Sequence, residues 1–182
     1  MRTELHASYS AFSRAVHWLT LVLFVGLFLI GWFLDDLPQE MRPPTLQLHK
    51  SFGITVLALT VLRLIWRFAA GVPPMPADLP AWQKLAARAA QYALYGLLLA
   101  QPLVGWLWSS AATKPINFYF LGQLPWLIGP DKQLSRTLAG LHGTIAWALL
   151  VLIAIHAAAA LYHHFVRRDR VLLAMVGGGA GR

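Results

Sequence analysis

Apolar positions gather into four long runs, at about 12–34, 46–70, 85–110 and 138–166, and the segments between them are rich in proline, glycine and charge. About 20 apolar residues in a helix cross the hydrocarbon of a bilayer, so each run is long enough to span. The pattern predicts an all-α integral membrane protein, a four-helix bundle forming a single membrane domain over residues 1–182. The first run is too long for the apolar region of a signal peptide, and Gly31-Trp32-Phe33-Leu34 before Asp35-Asp36 offers no small-x-small cleavage site. It reads as a retained span.

The connections have distinct characters. Pro38, Pro43 and Pro44 are expected to keep the first one non-helical up to Leu46, and the prolines at 73, 74, 76 and 80 make the second a stiff extended connector. Gln101-Pro102 predicts a kink within the third run, since proline lacks an amide hydrogen and its ring crowds the preceding turn. The longest connection, 111–137, carries Phe118, Tyr119, Phe120 and Trp126 and is too apolar for a solvated linker. It is expected to lie at the membrane surface as an interfacial periplasmic lid. The glycine-rich tail at 177–181 reads as mobile.

Composition supports the membrane class, with 58% hydrophobic and 12% charged residues. The formal net charge of +8 would suit nucleic acid, but its distribution argues otherwise. The N-terminal segment, the second connection and the tail hold Arg2, Arg14, Arg63, Arg67, Lys84, Arg88, Arg167, Arg168, Arg170 and Arg182; the other connections hold Arg42, Lys50, Lys114, Lys132 and Arg136. Ten against five places both termini in the cytoplasm by the positive-inside rule. The basic excess is topological, and no nucleic-acid partner is needed to account for it. Cysteine is absent, which excludes thiolate iron–sulfur clusters, disulfides and covalent c-type haem within the chain.

The chemistry lies in the histidines. The fourth run has no Asp, Glu, Lys or Arg, yet it carries His142 and His156, 14 residues apart. That step is about 21 Å along a helix and about 40° short of four whole turns, so both imidazoles project from nearly one face. A polar group inside hydrocarbon is costly and tends to mark a site. With both termini cytoplasmic, His17 on the first span shares the inner level with His156, and His49 on the second shares the outer level with His142. Two imidazoles facing across a gap are what axial ligation of haem needs. Zinc competes, but it usually wants four ligands, and no carboxylate or thiolate lies in the spans to complete a set.

Other candidates follow by register. Arg63, 14 residues beyond His49, falls at the inner level, where it or Arg67 one turn on could pair with a haem propionate; both also suit ordinary cytoplasmic anchors. Gly53 lies close to His49, and Gly31 and Gly143 lie near ligand level, where a missing side chain admits a flat macrocycle. His163, seven residues beyond His156 on the same face, is the quinone candidate, while His164 turns aside and His6 carries no assignment. Lys50 and Arg136 are the candidates for attracting an anion at the outer mouth.

Together His17-Trp18, His49-Lys50-Ser51-Phe52-Gly53, His142 and the run from His156 through Leu161 to His163-His164 resemble the bacterial cytochrome b561 family over essentially the whole chain. The resemblance implies a four-helix protein of the bacterial inner membrane with two non-covalent b-type haems. His17 and His156 would ligate the inner iron, and His49 and His142 the outer. Members of that family pass electrons between a periplasmic donor and the ubiquinone pool, and one activity attributed to the family is superoxide oxidation with the electron delivered to quinone. An iron with both axial positions filled has no open site for dioxygen, so outer-sphere electron transfer is expected, with no catalytic side chain. Two other classes stay open: the membrane-anchor cytochrome subunit of a larger dehydrogenase or hydrogenase, docking a soluble redox partner, and a haem-free transporter or scaffold.

Overall fold

The computed structural model describes residues 8–177, and four long helices dominate it. They are α1 (Ala11–Phe33), α2 (Arg42–Ala70), α3 (Ala81–Ala111) and α4 (Lys132–Tyr162). A turn of π-helix, His163–Arg167, and a short α5, Val171–Val176, complete the chain. Among the described residues no strand forms beyond one isolated bridge, Asn117 to Gln123. His6, Arg2 and Arg182, together with the tail beyond 177, lie outside the described residues.

Three helical stretches are long and apolar enough to cross a membrane: Ala11–Asp36, Arg42–Ala70 and Lys132–Arg167, with mean hydropathies of 2.1, 1.7 and 2.3. The third run, 85–110, was expected to match them, but α3 falls short by the same measure. Gln91, Gln101, Pro102, Ser109 and Ser110 dilute its hydropathy. These are not idle positions: Gln91 accepts a hydrogen bond from Arg67, and Ser110 ties down the connection that follows.

Helix boundaries differ from the apolar runs for identifiable reasons. Pro43 and Pro44 do not hold the chain in a connection; they sit in the first turn of α2, where the amide hydrogen that proline lacks would have no helical partner anyway. α4 starts at Lys132, ahead of the apolar run, because the Asp131 carboxylate accepts the Leu134 amide at 2.9 Å and caps it. His142 therefore stands well inside its helix. α3 continues through Pro102 to Ala111.

Packing runs in sequence, α1 on α2, α2 on α3 and α3 on α4. α1 meets α4 through long side chains: Phe24 clusters with Ile145 and Leu149, and Phe28 and Trp32 pack edge-on to Trp147 at 5.5 and 5.1 Å. Leu149 is wholly buried at the centre. Inside lipid, where tails are as apolar as leucine, such contacts hold helices by close packing and not by exclusion of water.

The segment 112–131 folds back on the helices. Phe118 donates to the Gly122 carbonyl at 2.9 Å, and Leu124 to Ile116 at 2.9 Å, making a tight turn over the buried Ile116. Gln47, Lys50, Ser51 and Thr55 share one face of α2 and bind it down. Gln47 Nε2 donates to the Pro115 carbonyl at 3.1 Å, Lys50 Nζ to those of Lys114 and Pro115 at 3.3 and 3.0 Å, and Ser51 Oγ to that of Asn117 at 2.8 Å. At the other end α5 lies against the start of α1, where Trp18 Nε1 donates to the Met175 carbonyl at 3.2 Å and the Tyr9 amide to that of Ala174 at 3.1 Å.

Leu149→Ala should cost about 2–4 kcal/mol of stability, the usual range for a large-to-small change in a packed core. Thermal unfolding in detergent checks this, with Leu48→Ala at an exposed position expected to change little.

Candidate functional site

The structure brings the four intramembrane histidines together in the expected couples. His17 of α1 and His156 of α4 have ring centroids 6.5 Å apart, and His49 of α2 and His142 of α4 are separated by 6.2 Å. All four are half-buried. With a metal–imidazole bond of about 2.0–2.1 Å, as for zinc, and a ring centre roughly 1.1 Å behind its nitrogen, two trans imidazoles on one ion hold their centroids about 6.3 Å apart. Both couples have that separation. Among the described residues no three His, Asp or Glu side chains converge as a metal-binding group, so each couple is a two-ligand arrangement. That suits an iron whose other four ligands belong to a macrocycle and does not suit tetrahedral zinc.

The His49–His142 couple opens into a cavity of about 220 Å³ between α1, α2, α3 and α4. Phe24 and Leu149 form part of its apolar wall, with Gly31, Gly53, Gly143 and Trp147. A Cβ built on Gly53 or Gly143 would meet nothing within 4 Å, and one on Gly31 would lie 3.7 Å from His49 Cε1. The glycines thus leave free space beside the ligand pair, in keeping with a flat group lying against backbone.

His142 is oriented from behind. Its Nδ1 lies 3.2 Å from the Gln101 carbonyl oxygen. A carbonyl only accepts, so the contact requires the proton on Nδ1 and leaves the Nε2 lone pair free for a metal. Gly105 makes room for this ring: a Cβ there would come within 3.1 Å of His142 Cε1 and 3.3 Å of its Nδ1. The α3 contribution had no sequence signal, because a main-chain carbonyl carries none and Gly105 lies on a helix without histidine. His49 Nδ1 faces the Leu27 main chain but is buried without a well-formed hydrogen bond, and Gln101 Oε1 is likewise unpartnered. Buried polar atoms of this kind call for a partner.

Beside the other couple, Arg63 lies close enough to act electrostatically on both His17 and His156. It is half-buried, and among the described residues no carboxylate pairs with it. The Arg63 and Arg67 guanidinium carbons lie 5.5 and 5.8 Å from the centre of the Tyr95 ring, and Arg67 also donates to Gln91 Oε1 at 3.1 Å. Two cations thus share one aromatic ring, and among the described residues no acid pairs with either.

The outlying candidates separate. His163 sits at the start of the π-turn, half-buried, and its Nδ1 lies 2.5 Å from Asp169 Oδ2. Burial would raise the Asp169 carboxyl, but the hydrogen bonds from His163, the Val171 amide and Arg167 hold it below the usual carboxylate range. Sequence reading passed over Asp169, which looked like one charge in a basic tail. Lys50 is half-buried, spending its donors on the Lys114 and Pro115 carbonyls, with Lys114 beside it. Arg136 is exposed on the first turns of α4.

Comparison with known proteins agrees with this arrangement. The profile of the prokaryotic cytochrome b561 family matches residues 8–178. Cytochrome b561 homolog 2 of Escherichia coli K12 is 34% identical over 176 residues, covering 93% of this chain and 91% of that protein. Cytochrome b561 homolog 1 of the same organism is 32% identical over 167 residues, or 88% and 92% of the two chains. A protein of Yersinia pestis named probable superoxide oxidase CybB is 29% identical over 178 residues, 94% and 97%. The match spans the helices that carry all four facing histidines, and the chain belongs to the prokaryotic cytochrome b561 family, whose members bind b-type haem, as a multi-pass electron-transfer protein of the bacterial inner membrane.

Proposed function

We propose that the chain is a di-haem cytochrome which takes electrons from a periplasmic donor, superoxide, and passes them to ubiquinone. In this reading α3 joins the three more apolar helices in a four-helix transmembrane bundle with both termini cytoplasmic, and the segment 112–131 covers its periplasmic end. The observation that carries it is the pair of imidazole couples, at 6.5 and 6.2 Å, each drawn from two helices. The superoxide assignment is supported by the name of the Yersinia pestis relative.

Haem bound in each couple would supply one-electron chemistry at an iron with no open coordination position. The chain does the rest. His17 and His156 would hold the inner iron, and His49 and His142 the outer. The Gln101 carbonyl keeps His142 in the ligating tautomer, and Gly31, Gly53 and Gly105 leave room for ring and macrocycle. Arg63 and Arg67, fixed over Tyr95, would receive propionates. Phe24 and Leu149 fill the layer between the two levels and keep it dry. At the outer mouth Lys50, Lys114 and Arg136 place positive charge where an anionic donor approaches, and such a field raises encounter rates at low ionic strength.

Purified protein under a steady superoxide flux should reduce ubiquinone, and the rate should fall with added salt and in Arg136→Ala. Arg136 is the cleaner test of attraction, because Lys50→Ala would also release the 112–131 segment. No quinone reduction above a heat-treated control would refute the reading. A rate independent of both salt and Arg136 would remove the attraction alone. Gly105→Ala should displace His142, shifting the spectrum and potential of the outer haem and leaving those of the inner one; redox titration followed by absorbance reads the two separately.

A further inference from the structure

The end of α4 holds a cluster that haem binding does not use. In the π-turn His163 meets Asp169 Oδ2 through Nδ1 at 2.5 Å, while the Asp169 amide donates to the His163 carbonyl at 3.1 Å. The other carboxylate oxygen, Oδ1, accepts the Val171 amide at 3.1 Å. Asp169 is thereby fixed from three directions, and so is the imidazole it holds. Arg167 joins the cluster to the second connection, its Nε lying 3.4 Å from Asp169 Oδ2 and its NH2 2.6 Å from Asp78 Oδ2. Tyr162 packs edge-on to the His163 ring at 6.2 Å, and α5, Val171–Val176, brings no titratable side chain. His164, Arg168 and Arg170 are the remaining charged or titratable neighbours along the chain.

A carboxylate behind one imidazole nitrogen does two things. It fixes the proton on Nδ1, which leaves Nε2 as the working nitrogen, and it stabilises the imidazolium that forms when Nε2 takes up a proton. Such a group is suited to collect a proton from water and hand it to an oxygen. π-Turns inside helices recur at functional sites, and this one sets the His163 ring against a carboxylate six residues on.

We infer that His163 delivers protons to the quinone as it is reduced, with Asp169 as the positioning residue behind it. This rests on the quinone reading above. The balance is that ubiquinone takes a pair of electrons, one from each of two superoxide anions by way of the haems, and a pair of protons from cytoplasmic water, giving ubiquinol and two molecules of dioxygen. His163 Nε2–H gives its proton to a quinone oxygen and is reprotonated from the water side, while Asp169 stays ionised. Arg167 reaches from the turn to the exposed Asp78, and neither carries a proton.

The test uses full-length protein with both haems, reduced beforehand and mixed with excess short-chain ubiquinone, the haem absorbance reporting reoxidation. In the wild type the rate should fall as pH rises. His163→Gln should slow it on the order of 100-fold, as loss of a general acid does, and flatten the pH profile. Asp169→Asn should also slow it, because the imidazole is no longer held by a carboxylate. Asp169→Glu should recover part of the rate, and Asp78→Asn should match the wild type. Haem spectra and reduction by superoxide should be alike in all of them. Equal rates and profiles in His163→Gln and wild type would overturn the inference, as would an Asp78→Asn defect equal to that of Asp169→Asn, which would mark the cluster as a structural tie. Failure of ubiquinone to reoxidise the wild type would instead overturn the quinone reading, and the inference with it.

Discussion

An imidazole in hydrocarbon needs a partner, and the architecture follows from how these four are given one. Each unpaired ring nitrogen would cost several kcal/mol at membrane depth. The chain has no intramembrane carboxylate to offer the facing rings. It sets them against each other in two couples, with ring centroids 6.5 and 6.2 Å apart. The chain itself answers His142 Nδ1 with the Gln101 carbonyl, whereas His49 Nδ1 is buried without a partner. Members of the family to which the chain belongs bind b-type haem.

That constraint explains the division of labour among the helices. α4 supplies one histidine to each couple, and α1 and α2 supply one each. α3 supplies none, yet it is the helix whose hydropathy falls short of a simple span. Its polar and small positions are spent on the others: the Gln101 carbonyl on His142, Gly105 on the same ring, Gln91 on Arg67 and Tyr95 on both arginines. Of these, Gln91 and Tyr95 lower the hydropathy of α3, whereas a main-chain carbonyl leaves no mark on it. Packing between α1 and α4 is likewise shaped by the slots, since the two helices meet through Phe24, Phe28 and Trp147 in a thin layer between the two histidine levels.

Much of this was legible in the residues. A 14-residue spacing on one helix face, with α1 running opposite to that helix and α2 running the same way, pointed to which histidine would face which. The helical runs were legible to within a few residues because apolar periodicity sets them, and the errors came from local chemistry that hydropathy ignores. Pro43 and Pro44 looked like breakers but open α2, and the Asp131 cap extends α4 beyond its apolar part. Main-chain acceptors, the room at Gly105 and the Asp169 partner of His163 had no signature in one dimension. Each depends on which helix lies alongside or on how the chain turns back after α4.

The central claim is that each imidazole couple holds one haem, and haem content per chain tests it most directly. Protein purified from haem-replete cells should release close to two equivalents of non-covalent b-type haem per polypeptide, with His49→Ala and His17→Ala each retaining one. A wild-type preparation with a single equivalent, or none, would contradict the account.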